Sequence, residues 1–562
     1  PARRRRRATA VALAGATAGL LALAAAAAHD PCRDAGGAMT DAWDPSQRAA
    51  VLAAAQAADA GWGERSGAAV VQRLDEASAA WSETARGVCQ AERADDRDRA
   101  AARGRLAHAA AQLRASIEES REPDAASWLG AAARAELLPD AHGCAEPPRL
   151  SAWSIDVDAI APILAALRQG EAALGEASVR GAPESLRSAP ARARAAAATA
   201  VRAAEAIEHE PLLARALLLA GRVEVGEGEH TLAEPLLRRG LALARRADDS
   251  ALAAALAAEL VHVVSRERER FDEAEDLARE ALGSVVARGR PPLLLARLSA
   301  HRASAMARAD TVDHDGAVAL HEQVAALLDG AVGPQHPASI VEQGNLGVAQ
   351  SHAGQHERAL ATIAAAIEAA SAALGESHPR TAALQGAWGL ALMRAGRLEQ
   401  AEAALRRSLA LRHAVLPEDH PQLDDARYNL ALVLRRRDAH AEAAELLAQG
   451  LAHVRVRRGD DDPLLGPWWV ALGESQLALG QLDAAGTSFD AALRLFERGG
   501  ASGRDYARVR TGAARALQQR DPSRARWLAQ QARTDAIEAG QTAMIASIDA
   551  LLTALAPAAD AP

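Results

Sequence analysis

Apolar positions recur with a helical period along almost the whole chain, and three kinds of stretch follow one another. Residues 8–28, ATAVALAGATAGLLALAAAAA, form an uncharged run of 21 residues behind the basic run Arg3 to Arg7. As a helix, that length spans the hydrocarbon core of a bilayer. From Asp44 to about Pro139 the pattern is amphipathic without an internal period. It predicts a long helix from about Ala91 to Glu119, where opposite charges mix at helical spacing. Trp43, Trp62 and Trp81 stand 19 residues apart and point to elements that share one core. Pro139, Pro147 and Pro148 interrupt the pattern and mark a junction.

Beyond the junction the pattern itself repeats. HP dipeptides at 336–337, 378–379 and 420–421, and DP at 462–463, place prolines 42 residues apart each time. Ala317, Ala359, Ala401, Ala443 and Ala485 keep the same interval, Ala274 and Ala233 extend the series backwards, and Ala525 extends it forwards. Gly354, Gly396 and Gly480 share a phase in which Asp438 fills the remaining slot, and Gly347, Gly389 and Gly473 share another. Each unit reads as helix, tight turn, helix, connection. Small Gly347 lets the first helix approach its partner, Gly354 sits at the turn with positive φ, and Ala359 packs near the crossing. Proline suits a first helical turn, so His336, His378 and His420 read as caps or inter-repeat contacts rather than metal ligands. The pattern is most irregular between Glu267 and Asp315, where the turn glycine is missing, and a degenerate unit spans Ile160 to Glu208.

These residues resemble tetratricopeptide repeats in the extended, kinesin-light-chain-like form. The resemblance rests on the spacing around Asn345–Gly347 and Trp388–Gly389, on the G-x-x-x-x-A pattern at Gly354–Ala359, Gly396–Ala401 and Gly480–Ala485, and on the HP pairs. It implies an all-α solenoid whose concave face, lined by the first helix of each unit, holds a peptide or another helix.

Composition narrows the picture. Of 562 residues only 14 are aromatic (three Phe, two Tyr, nine Trp), and all 64 basic residues are arginine. That argues against sandwiches and barrels, and 49% hydrophobic content argues against disorder. The formal net charge is -9, and removing the five arginines of the first seven residues leaves -9 minus 5, or -14. No basic stripe follows, so nucleic acid is not an expected partner.

The order of segments carries a second resemblance. A basic run, a single span, Cys32, Trp43, GVCQAERA at Cys89, Cys144 and then repeats looks similar to the C-terminal region of myxobacterial-type serine/threonine protein kinases. It implies a kinase domain upstream of Pro1, none of which is present. The arginines place the cytoplasm before residue 8, so the expected location is the inner membrane, single-pass, with an extracytoplasmic C-terminal region. A cleaved signal has nearly the same grammar. Three cysteines suit one disulfide and one thiol.

Catalytic chemistry is missing from the sequence. There is no glycine-rich kinase loop, HRD or DFG motif, Walker A loop, HExxH or GxSxG. HEQVA at His321 has Ala325 where a second histidine would stand, and the Asp310, Asp313, His314, Asp315 cluster suits helix capping. Asp156 and Asp158 read as a solvated turn. No catalytic residue, cofactor or metal is expected.

The expected organisation is a basic segment 1–7, a transmembrane helix 8–28, a non-repeat helical segment 29–150, a repeat solenoid 151–550 and a tail 551–562. Candidate partner-binding residues are Asn345, Arg394, Asn429, Trp468 and Trp469. Repeated amides suit an extended backbone or a neighbouring helix, and the adjacent tryptophans suit one packed ring and one exposed anchor. The expected function is the protein- or peptide-binding sensor half of a membrane-anchored receptor-like kinase, with self-association as a further partner mode. The second reading is an exported tetratricopeptide scaffold for envelope assembly, with no kinase.

Overall fold

A computed structural model describes residues 39, 42–58, 63–90, 96–121, 131–138, 157–176, 183–265, 270–287, 292–306, 313–499 and 501–556. Among them every extended element is a helix. Four precede the repeats: α1 (Pro45–Ala57), α2 (Gly63–Gln90), α3 (Asp96–Glu119) and the short α4 (Ala131–Glu136). Antiparallel pairs follow, beginning with α5 (Val157–Glu176) and α6 (Pro183–Ala206), α7 (Glu210–Gly226) and α8 (His230–Arg246), and α9 (Ser250–Val264) and α10 (Phe271–Ala287). Next come α11 (Pro292–Met306) and α12 (His314–Ala331), α13 (Pro337–His352) and α14 (His356–Ala373), and α15 (Pro379–Arg394) and α16 (Leu398–His413). The stack continues with α17 (Pro421–Arg436) and α18 (His440–Arg458), α19 (Gly466–Ala478) and α20 (Leu482–Gly499), and α21 (Gly503–Leu517) and α22 (Pro522–Glu538), and ends on α23 (Thr542–Ala554). This is an all-α solenoid of tetratricopeptide type.

The repeated small residues set its geometry. All eight phased alanines, from Ala233 to Ala525, are at most 1% exposed. Gly347 faces the crossing from the other side: a Cβ there would lie 2.3 Å from Ile363 Cγ1 and 3.3 Å from the Ala359 carbonyl oxygen. At such a crossing only glycine or alanine leaves room for the partner helix. Successive first helices touch one another more than successive second helices do, so the stack curves with the first helices inside.

The turns follow from two backbone devices. After the first helix, Gly354, Gly396 and Gly480 take φ of 76°, 77° and 72°, and Asp438 takes 58° in their place. The next amide returns to the carbonyl five residues back, as in Gln355 N to Gln350 O at 2.9 Å and Ala439 N to Leu434 O at 2.9 Å. Those same residues are the N-caps of the second helices, so only three residues, 353–355 and 437–439, separate the helices of each pair.

The HP histidines are caps. Nδ1 of His336, His378 and His420 accepts from the amides of Ala338, Arg380 and Gln422 at 3.1, 3.0 and 3.1 Å. An accepting Nδ1 requires the neutral Nε2–H tautomer. Asp462 does the same for Leu464 at 2.8 Å, and Asp313 for Gly316 at 2.8 Å. His209, buried, caps α7 through Leu212 at 3.2 Å.

The segment before the repeats is not a separate body. Trp43 and Trp81 are both buried in its core, where the Trp43 indole donates to Asp75 at 2.7 Å and the Trp81 indole to the Leu106 carbonyl at 2.8 Å. That core continues into the repeats through Val332 and Leu293. Both oxygens of the buried Glu136 accept from the first amides of α11, Leu293 at 2.9 Å and Leu294 at 2.7 Å. Cys89 is disulfide-bonded. Cys32, Cys144, Trp62, Pro139, Asp156 and Asp310 lie outside the described residues.

The membrane expectation is corrected. No helix among the described residues is long and apolar enough to cross a membrane. The span expected at residues 8–28 lies outside the described residues, and among the described residues no transmembrane helix precedes the repeats. Single-pass inner-membrane location, the membrane as a partner, and the sensor half of a receptor-like kinase all rested on that span and are withdrawn with it. The physical weakness was in the criterion. Residues 8–28 are uncharged but mostly alanine, with five Leu or Val. Absence of charge is poorer evidence of insertion than apolar area, and an alanine methyl supplies little of it.

Two outcomes test this account of the turns and caps. Gly396→Ala, at φ 77°, should cost roughly 1–2 kcal/mol, whereas Asp438→Gly should be neutral or stabilising, both read by urea unfolding. Burial pushes the His209 imidazole down to about 4, below its ordinary value of about 6.5. Its contribution is therefore complete above that ordinary value and lost as pH falls towards 4, on the order of 2–3 kcal/mol. His209→Asn keeps a cap without the titration, so its melting temperature should fall less between pH 7.5 and 5 than that of the parent.

Candidate functional site

First helices present one face to the inside of the curve, and the 42-residue period puts equivalent positions in line. Asn345 on α13 corresponds to Ala387 on α15 and Asn429 on α17; His352 corresponds to Arg394 and Arg436. The inner face between α5 and α15 encloses a cavity of about 690 Å3. Its walls are largely alanine, leucine and valine, and its polar groups cluster.

Glu259 is the centre of that cluster. It stands between Arg222, 2.8 Å away, and Arg297, 3.0 Å away. Burial alone would raise its carboxyl, but the two guanidiniums overcome burial and hold it down at about 2. Arg297 is in turn pulled down to about 10, first by the charge of Arg222 and then by burial. Arg380 is pulled down to about 10 by burial and by the charge of Arg297. Two guanidiniums thus flank one carboxylate, and Arg380 lines the same cavity.

The sequence candidates fall in different places. Asn345 lines the cavity, half-buried, and its amide donates to Glu342 at 3.2 Å. Glu342 also holds His321 at 2.7 Å, both buried, so the HEQVA histidine is a structural pair. Arg394 is exposed at the end of α15, 3.0 Å from His352 Nε2. Asn429 is half-buried on α17. Trp468 is buried against Tyr428, ring centroids 4.9 Å apart, and over Gly450, which has no side chain to displace it. Trp469 is half-buried between two core clusters, with the Arg455 guanidinium 5.9 Å from its ring. Neither tryptophan reaches the cavity.

Sequence reasoning missed Arg222, Glu259, Arg297 and Arg380. One signal was present: Arg380 occupies the register position of Ala338 and Gln422, and a lone arginine in an otherwise uncharged register marks a site that stacking does not require.

A second polar cluster lies below the inner surface of α17. Asp424, 1% exposed on its side chain, accepts from Arg427 at 2.7 Å and from Arg457 at 2.9 Å, and contacts His453 at 3.1 Å. Arg427 is the largest fully buried side chain among the described residues. The group is saturated internally and has the character of a structural network.

Among the described residues no group of three or more His, Cys, Asp or Glu is placed to hold a metal ion. The tetratricopeptide repeat family model matches residues 380–455. No curated protein matches the chain. Among solved structures, a putative kinesin light chain with TPR-like repeats from Podosopora anserina is 22% identical, covers 37% of this chain and 98% of its own, with a TM-score of 0.33. A Rap protein complexed with competence and sporulation factor is 14% identical, covering 64% of this chain and 92% of its own, TM-score 0.39. A signal-transduction ATPase with a tetratricopeptide sensor from Pyrococcus horikoshii is 11% identical, covering 69% and 60%, TM-score 0.36. The assignment of the fold rests on the repeated helix pairs and the matched family model.

Glu259→Gln should destabilise the array by about 2–3 kcal/mol, because Arg222 and Arg297 would then face each other without their counter-charge. Adding Arg297→Gln should restore part of that loss. Chemical unfolding of the two single variants and the double variant measures the coupling.

Proposed function

We propose that the protein is a scaffold that holds a protein or peptide segment on the inner face of its repeats. The observation that carries this reading is the register of polar groups on successive first helices. Asn345 and Asn429, and His352, Arg394 and Arg436, stand at matching positions along one face. An extended backbone presents donors and acceptors at regular intervals, and an array of side chains at a fixed period can meet them without reading a particular sequence. Exposed Arg394 and Arg436 supply charge at the ends of the inner helices, and half-buried Tyr428 and Leu432 supply apolar contact beside Asn429. This reading keeps the scaffold role of the second expectation and invokes neither a kinase nor a membrane anchor.

Peptides selected from a random display library against the full chain test it. Binders should lose roughly tenfold in affinity to the Arg394→Ala, Asn429→Ala double variant, corresponding to two hydrogen bonds of about 0.7 kcal/mol each. Arg406→Ala, on the second helix α16, should leave them unchanged. Failure to enrich any binder, or binders that respond to Arg406 and ignore the inner pair, would sink the scaffold reading.

A further inference from the structure

The inner face is not uniform. Between α5 and α15 the first helices of six successive pairs border one cavity of about 690 Å3. They present stripes at helical spacing, as in Ala338, Val341, Asn345 and Val348 on α13 and Ala383, Leu384 and Ala387 on α15. Small side chains at Ala296, Ala338 and Ala387 leave volume that leucines would fill. Leu384 lies against Gly344, where a Cβ would stand 2.3 Å from its Cδ2, so it forms a wall rather than a plug. The winding returns on itself beyond the cavity: Gln422 Nε2 donates to the Gly226 carbonyl at 3.4 Å, and Pro421 packs against Gly228. A space of this size suits one small molecule rather than a long segment.

The charges on its lining are already matched inside the protein. Glu259 lies 2.8 Å from Arg222 and 3.0 Å from Arg297, and Glu171 stands 3.6 Å from Arg134 and 3.7 Å from Arg215. Arg380 is not left over either, having a partner of its own. A carboxylate or ammonium entering here would give up its water and find every counter-charge shared, which opposes binding. An uncharged apolar body loses little water and is buried against Leu219, Leu293, Val341 and Leu384.

One polar group on this lining has capacity unused. Glu342 meets His321 Nδ1 with Oε1 at 2.7 Å and accepts from Asn345 Nδ2 with Oε2 at 3.2 Å. A carboxylate oxygen needs a donor, so the Asn345 amide must turn its NH2 towards Glu342, which fixes the other end of the group as the acceptor. Among the described residues no donor reaches that acceptor, Asn345 Oδ1. Asn345 is half-buried, and its neighbours along α13 on the lining are Val341, Gly344 and Val348. A single acceptor set among aliphatic groups rewards a ligand with one neutral donor.

We propose that this cavity binds one small uncharged molecule with the chemistry of an alkyl alcohol, its apolar body against the leucine, valine and alanine walls and its hydroxyl donating to Asn345 Oδ1. The inference goes beyond the scaffold reading and does not depend on it.

Calorimetric titration of the full chain at neutral pH with octan-1-ol, heptyl methyl ether, octanoate and octylammonium tests it. The four are of similar length and differ in charge and in whether they carry a neutral donor. Octan-1-ol should bind one per chain, about tenfold or more tightly than either ion and about threefold or more tightly than the ether. Asn345→Leu keeps the size of the side chain and removes the acceptor, so it should bring the alcohol down to the affinity of the ether and leave the ether unchanged. Ala387→Leu, which fills the wall without touching Asn345 or a charge, should weaken alcohol and ether alike, and it keeps the test informative if the Asn345 variant fails to fold. An ion or the ether bound as tightly as the alcohol, several alcohols per chain, no measurable binding, or alcohol binding indifferent to Ala387→Leu would overturn the proposal. Loss of peptide binders with alcohol binding intact would remove the scaffold reading alone.

Discussion

Close approach of two helices at a small residue is the constraint on which the rest of this structure depends. Ala359 sits at the crossing in one pair and Ala401 in the next, both 0% exposed, with Gly347 and Gly389 opposite. A larger residue at either position would separate the helices and alter the angle passed to the next pair. Because each pair contacts mainly its neighbours, such an error is transmitted along the stack. The scarcity of aromatic residues follows: at this spacing the interior has room for methyl and isobutyl groups and few rings. The exceptions lie towards the C-terminal end, where Phe489, Phe496 and Trp468 press onto Gly473, Gly466 and Gly450.

Charge refines what packing establishes. Outer helices of neighbouring pairs are bridged by arginine–glutamate contacts, as in Arg239 to Glu205 at 2.7 Å, Arg245 to Glu280 at 2.7 Å and Arg406 to Glu442 at 2.6 Å. Exposed pairs of this kind contribute little individually, but their repetition favours one register between successive units. An arginine fork suits the role better than an ammonium, which accords with a chain that uses no lysine. Inside the curve the same residue types do something different. Around Glu259 and in the Asp424 network they are crowded and partly or wholly desolvated, so each charge depends on its neighbours.

Much of the repeat architecture was legible because its determinants are local. A turn glycine, a capping HP pair and a small residue at a crossing all act within about twenty residues, and the period exposes them together. The candidate site was legible only in part. Asn345 does line the cavity, but its amide is engaged by Glu342; Arg394 and Asn429 lie along the same inner register; Trp468 and Trp469 serve the interface between α18 and α19. The four residues that polarise the cavity come from helices spread over 159 positions, from Arg222 to Arg380, and no local rule connects them. The expectation of a membrane anchor shows the opposite hazard, a local rule applied where absence of charge stood in for apolarity.

By itself, the amino-acid sequence determined that this chain is helical, that its helices come in pairs of nearly constant length, and where each pair turns and is capped. Those properties follow from backbone conformation and side-chain size at single positions. Tertiary structure alone decided that the segment before the repeats docks against them through Glu136 and Val332, that residues 226–228 meet residues 420–422, and that the inner face closes around a charged cavity. Each of these depends on the curvature accumulated over several pairs. Curvature is a sum of small packing angles, and a repeated sequence pattern specifies the unit without stating that sum.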